Sequence, residues 1–115
     1  MRIFLHNPRC SKSRDGLKAI KDSWKSFTLR NYVQWPLDYN ELVDLQEKLW
    51  LKAIEFTRTK ESEFKESKLT NDSTDEEILK AMSKHPKLME RPIVYDEKKA
   101  FIGRPTENLL NIFKK

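Results

Sequence analysis

The 115-residue sequence predicts an α/β sandwich in the order βαβ, a helical stretch, then ββα. Three observations carry that reading. The chain opens with the apolar, aromatic and β-branched run MRIFLH, which stops at the turn signal Asn7-Pro8. Leu17, Ile20 and Trp24 then recur at helical spacing before the alternating stretch SFTLRNY. Towards the other end, IVY and AFIG bracket the charged run DEKK in the manner of an antiparallel hairpin.

Taken in order, residues 1–6 form a first strand and residues 11–23 a first helix, with Leu17, Ile20 and Trp24 on one face. A second strand covers residues 26–32, where Phe27, Leu29 and Asn31 alternate with Thr28, Arg30 and Tyr32. Strand, helix and strand at this spacing make a βαβ unit, with parallel strands and a right-handed crossover. After Trp35-Pro36, Asp38 and Glu41 have the spacing of a capping box, and Leu42, Leu45 and Leu49 mark the face of a second helix. The charged segment FTRTKESEFKESK carries weaker helical signals. A clearer helix starts at Thr74, which can cap with Glu77, and it buries Ile78, Leu79 and Met82. These middle helices have the character of an insertion. Pro105 starts a last helix with Leu109, Leu110, Ile112 and Phe113.

Composition narrows the function classes. The chain is 37% hydrophobic and 36% charged, enough apolar material for one core and too much for global disorder. A single cysteine excludes an internal disulfide, and with only His6 and His85 beside it there is no zinc-type ligand set. No apolar run has the length of a membrane span and no secretory signal opens the sequence, so a cytoplasmic protein is expected. The net charge of +5 suits an anionic partner, but acidic and basic residues alternate through ESEFKESK and YDEKK. That pattern belongs to a solvated face rather than a nucleic-acid groove.

Cys10 stands at the junction of the first strand and first helix, the place where ligands bind in open α/β sheets. The free amides of the first helical turn, Ser11 to Ser13, would point at its sulfur, and the positive end of the helix favours thiolate and oxyanion alike. His6, Arg9, Lys12 and Arg14 add positive potential close in sequence. A cysteine so placed is a candidate nucleophile of lowered pKa. It is equally compatible with a half-buried turn residue, and spacing alone leaves both open. Arg58, Arg91 and Arg104 each lie beside turn punctuation. Singly they read as surface residues; around one thiolate they would form an anion site, because the guanidinium fork holds an oxyanion with two hydrogen bonds.

The segments HNPRCSKSR, FTRTKESEFKESKL, HPKLMERPIV and IGRPTENLL, in order and over essentially the whole chain, resemble the ArsC family of glutathione- and glutaredoxin-coupled arsenate reductases. The resemblance implies a thioredoxin-like fold in a single domain, residues 1–115, with a helical insertion at roughly 37–90. It implies that Cys10 is the nucleophile, that His6 helps to lower its pKa, and that Arg58, Arg91 and Arg104 bind the arsenate or arsenite oxyanion. Ser13 and Arg14 match supporting positions after the cysteine, and Pro92 matches the proline that the fold places in cis beside its active site. Ser11 stands where many members have Gly, and Thr59 follows Arg58 where others have Lys. Neither change removes a reacting group.

The chemistry so implied is attack of the Cys10 thiolate on arsenate, with no metal and no bound cofactor. Since no second cysteine is present, the resolving thiol comes from outside: glutathione as co-substrate, with glutaredoxin as partner. A monomer is expected for a small chain with one site. Three other readings stay open. Spx-type regulators share this fold, bind the RNA polymerase α subunit and commonly carry a CxxC redox pair; here the stretch is Cys10-Ser11-Lys12-Ser13, so a disulfide switch is impossible. A related thiol enzyme acting on another glutathione-linked substrate is the second. A binding module with an inert Cys10 is the third.

Overall fold

The computed structural model describes residues 1–114. These fall into two compact units, one made of residues 1–35 and 91–114 and the other of Pro36–Glu90.

The first unit is built on a four-stranded sheet. Its strands are β1 (Ile3–His6), β2 (Thr28–Asn31), β3 (Ile93–Tyr95) and β4 (Ala100–Ile102), in the spatial order β2-β1-β3-β4. β1 and β2 are parallel, joined by helix α1 (Ser11–Asp22), which is the βαβ unit read from the sequence. β3 runs antiparallel to β1 and pairs with β4 through the expected hairpin. Asp96 closes its turn, the carboxylate accepting from the backbone N–H of Lys98 at 2.8 Å and of Lys99 at 2.9 Å. Phe4, Ile20, Val94, Leu109 and Ile112 form the core of this unit, with Leu17, Phe27, Phe101 and Phe113 packed against it.

Three details depart from the sequence reading. α1 ends at Asp22, and Trp24, assigned to its buried face, stands 94% exposed with φ of 61°. The Ser23 N–H bonds back to Ile20 and turns the chain away before Trp24 can reach the core. β2 is shorter than 26–32: its buried position is Arg30, Leu29 is exposed, and Tyr32 is buried just beyond the strand's end. Arg30 is accommodated by donating from Nε to the Trp35 carbonyl at 3.0 Å and lying 4.1 Å over the Trp35 ring. The last helix, Thr106–Phe113, is 3-10 rather than α. Side chains three apart eclipse in that geometry, so Leu109 and Ile112 line up on the core while Leu110 faces out.

The second unit is helical: α2 (Tyr39–Leu49), a 3-10 turn (Ala53–Phe56), α3 (Ser62–Glu66), α4 (Asp75–Lys84) and a second 3-10 turn (Pro86–Leu88). Both capping boxes form. The Glu41 N–H donates to Asp38 at 2.8 Å and the Asp38 N–H to Glu41 at 3.0 Å; Thr74 and Glu77 exchange the same pair at 3.1 and 2.9 Å. Leu42, Leu45, Phe56, Ile78, Leu79, Met82, Leu88 and Met89 are buried. No described helix is long and apolar enough to cross a membrane.

Candidate active site

The loop between β1 and α1 is organised by Asn7. Its carbonyl accepts the Cys10 N–H at 3.0 Å and its side-chain oxygen accepts the Arg9 N–H at 3.1 Å. Arg14, from the first turn of α1, braces the loop by donating to the Pro8 carbonyl at 2.9 Å. Cys10 thereby becomes the residue that caps α1, with extended backbone and a half-buried side chain. The free amides of Lys12 and Ser13 turn towards its sulfur, as expected where a helix begins.

The charge balance at the sulfur is set by Arg91, two residues ahead of β3. Burial pushes the Cys10 thiol up, but the hydrogen bond and positive charge of Arg91, with the Ser13 and Lys12 N–H groups, outweigh it and leave the pKa below the ordinary thiol value. The site sets the Cys10 sulfur next to a guanidinium and two backbone donors, groups that favour its ionised form.

His6, the last residue of β1, is buried and makes its contact with Ser13. Its Nδ1 lies 2.8 Å from Ser13 Oγ, which also accepts the Asn7 N–H at 2.9 Å. Burial and the nearby charges of Lys21 and Arg14 lower the His6 pKa, favouring the neutral imidazole. The fully buried Ser13 hydroxyl thus bridges His6 Nδ1 and the Asn7 N–H, so histidine and serine hold the loop and the amides behind the sulfur.

Of the other residues selected from the sequence, Arg104 donates from Nε to the Arg91 carbonyl at 3.0 Å, which sets two of the three arginines side by side. Arg58 belongs to the helical unit. There its backbone N–H bonds to Leu88, Nε pairs with Glu61 at 3.1 Å and Nη1 with Glu90 at 3.7 Å. Pro92 is buried, and a Cβ added to either of the chain's two glycines, Gly16 or Gly103, would come within 2.8 Å of its Cγ. The Arg91–Pro92 peptide is cis, and so is Arg104–Pro105.

The sequence reading missed Tyr32. His6 pairs with Asn31 in the parallel register, so the next residues, Asn7 and Tyr32, leave the sheet at the same end. Tyr32 is 1% exposed, and its hydroxyl shares its surroundings with Arg91, Asn7 and Cys10. The available signal was position: a tyrosine directly after a strand that runs parallel to the one leading into Cys10.

Comparison with known proteins agrees with this geometry. The ArsC family model matches residues 5–112. The chain is 45% identical to the "Uncharacterized protein YfgD" of Escherichia coli strain K12, over 93% of this chain and 92% of that one. It is 40% identical to an arsenate reductase of Neisseria meningitidis, over 95% and 94% respectively. Among solved structures, the arsenate reductase from Vibrio cholerae superposes with a TM-score of 0.90 at 35% identity, covering 96% of each chain. The mixed sheet with its flanking helices is thus the thioredoxin-like arrangement of those proteins. With sequence, fold and the strand-to-helix cysteine in agreement, the chain belongs to the ArsC family.

Proposed function

We propose that the protein is a glutathione- and glutaredoxin-linked arsenate reductase. The observation that carries this reading is the convergence of Arg91 and the Lys12 and Ser13 amides on the Cys10 sulfur, an environment that stabilises both a thiolate and an oxyanion beside it. The names of the Neisseria and Vibrio relatives support the choice of arsenate.

In the first step the Cys10 thiolate attacks arsenic, an As–S bond forms, and one arsenate oxygen leaves as water after protonation. Glutathione thiolate then attacks the Cys10 sulfur. The S–S bond forms as the As–S bond breaks, and that electron pair stays on arsenic, reducing As(V) to As(III) and releasing arsenite. Glutaredoxin attacks the glutathione sulfur of the mixed disulfide and returns Cys10 to the thiol. Arg91 and Arg104 would neutralise the oxyanion as its electron density rises. Arg58 is assigned to the same task from its sequence context. The need for a reduced glutathione pool places the reaction in the cytoplasm.

Purified protein supplied with glutathione, glutaredoxin, glutathione reductase and NADPH should consume NADPH when arsenate is added, and Cys10→Ser should abolish this. Absence of arsenate-dependent NADPH loss beside a working reductase would overturn the assignment.

A further inference from the structure

We propose that Tyr32 is an oxyanion-binding residue of this site, donating its phenolic O–H to an oxygen of the anion held at Cys10. The proposal rests on the reading of Cys10 as an oxyanion-handling thiolate and adds to it a recognition element that no arginine supplies. A guanidinium meets an anion with charge and five N–H groups, whereas a phenol offers one neutral O–H of fixed direction.

The argument starts from burial. Tyr32 is 1% exposed, and its hydroxyl oxygen is shut off from solvent without a hydrogen bond of ordinary length and angle. Buried hydroxyls are satisfied in the great majority of proteins, since leaving one unpaired costs about 1–3 kcal/mol. The polar groups that face it are the side chains of Asn7 and Arg91 and the Cys10 sulfur. Arg91 can only donate, so it approaches the phenol through the oxygen and leaves the O–H proton to an acceptor; Asn7 Oδ1 already takes the Arg9 N–H, and the Cys10 sulfur ceases to be a thiolate acceptor once an oxyanion is bonded to it. An oxyanion bonded to Cys10 and drawn in by Arg91 brings acceptor oxygens into that same space. The hydroxyl also keeps its proton there: burial pushes the Tyr32 pKa up, the thiolate charge adds to this, Arg91 and Asn7 work against it, and the result is about 12. A group that stays protonated throughout the working pH range remains a donor in every step.

A backbone argument places the ring independently of these charges. Tyr32 follows the last residue of β2, and β2 lies parallel to β1, whose continuation is the Cys10 loop. Both chain segments leave the sheet at the end where α/β folds bind ligands.

The test is protection of Cys10 from iodoacetamide by arsenate, read as the anion concentration that halves the alkylation rate. This ratio is normalised to each protein's own rate without anion, so a change in basal thiol reactivity does not enter it. Tyr32→Phe keeps the ring and loses the hydroxyl, and it should raise the half-protecting concentration about tenfold or more. Equal protection in both proteins would overturn the role of Tyr32 while leaving the oxyanion site standing. Failure of arsenate to protect the wild-type protein would overturn both. If Tyr32→Phe does not fold, protein labelled with 3-fluorotyrosine serves instead, its three tyrosine resonances assigned with Tyr39→Phe and Tyr95→Phe. Arsenate should then move the Tyr32 fluorine signal and leave the other two in place; an unmoved Tyr32 signal at an arsenate concentration that protects Cys10 would overturn the proposal.

Discussion

Each of the two units of this protein is built internally from its own kind of contact. The sheet unit joins residues 1–35 to residues 91–114, so its core and its polar site are assembled from the two ends of the chain. Phe4 and Ile20 meet Val94, Leu109 and Ile112, and Cys10 meets Arg91. The helical unit relies more on neighbours in sequence: Asp38 with Glu41, Thr74 with Glu77, Arg58 with Glu61. The arginines make the contrast concrete. Arg91 faces the Cys10 sulfur, whereas Arg58, equally a guanidinium beside a turn, faces the carboxylates of Glu61 and Glu90. The residue type sets what a side chain can bind, and the neighbours brought to it set what it does bind.

The contrast can be broken most forcefully at Gly16. A Cβ there would lie 2.8 Å from both Leu109 Cδ1 and Pro92 Cγ and 3.3 Å from Phe4 Cζ, contacts from both ends of the chain. Gly16→Ala should cost about 1–3 kcal/mol in urea unfolding, the overpacking penalty winning over the gain in helix propensity. An unchanged midpoint would show that the sheet unit yields easily. Next is the arginine pair. Arg91→Ala should slow alkylation of Cys10 at neutral pH roughly tenfold by removing an adjacent positive charge, while Arg58→Ala should leave the rate nearly unaltered. Equal effects would erase the distinction between them. Thr74→Ala, which removes one local cap, should cost about 1 kcal/mol of stability.

The smallest effect concerns pH. His6 has a folded-state pKa below its ordinary 6.5, so on acidification the unfolded chain takes up its proton first. Stability should therefore fall as pH drops from about 7 to below 6.5, with the slope set by the excess protons bound by the unfolded state. His6→Gln should flatten that part of the stability curve, measured by urea midpoints at several pH values.

The same contrast explains what could be read from the sequence. Capping boxes, the hairpin turn at Asp96 and the βαβ spacing are short-range patterns, and all of them form. The position of Cys10 at a helix start was legible for the same reason. Which arginine would face the sulfur depends on strand pairing between residues far apart, and no local pattern encodes it. Tyr32 shares its alternation set with the charged Arg30, so the pattern of residues 26–32 does not mark it as buried. Trp24 misled in the opposite direction, its helical spacing suggesting a core position although it lies two residues beyond the end of the helix. The 3-10 geometry of Thr106–Phe113 follows from burial of Leu109 and Ile112, a tertiary demand that the helical spacing of the sequence does not contain.

The chain has two glycines, and both press on the same pair of side chains, Pro92 and Leu109. Gly16 sits on α1, the helix capped by Cys10, and Pro92 follows Arg91 directly. The absence of two methyl groups therefore works as a mechanical stop that fixes how far the helix begun by Cys10 stands from the Arg91–Pro92 segment ahead of β3. Tuning of the sulfur is consequently a matter of tolerance as well as of charge. A substitution at a position with no polar atom in its side chain, more than a helical turn from Cys10, would change the reactivity of the thiol by moving the helix rather than by touching the chemistry.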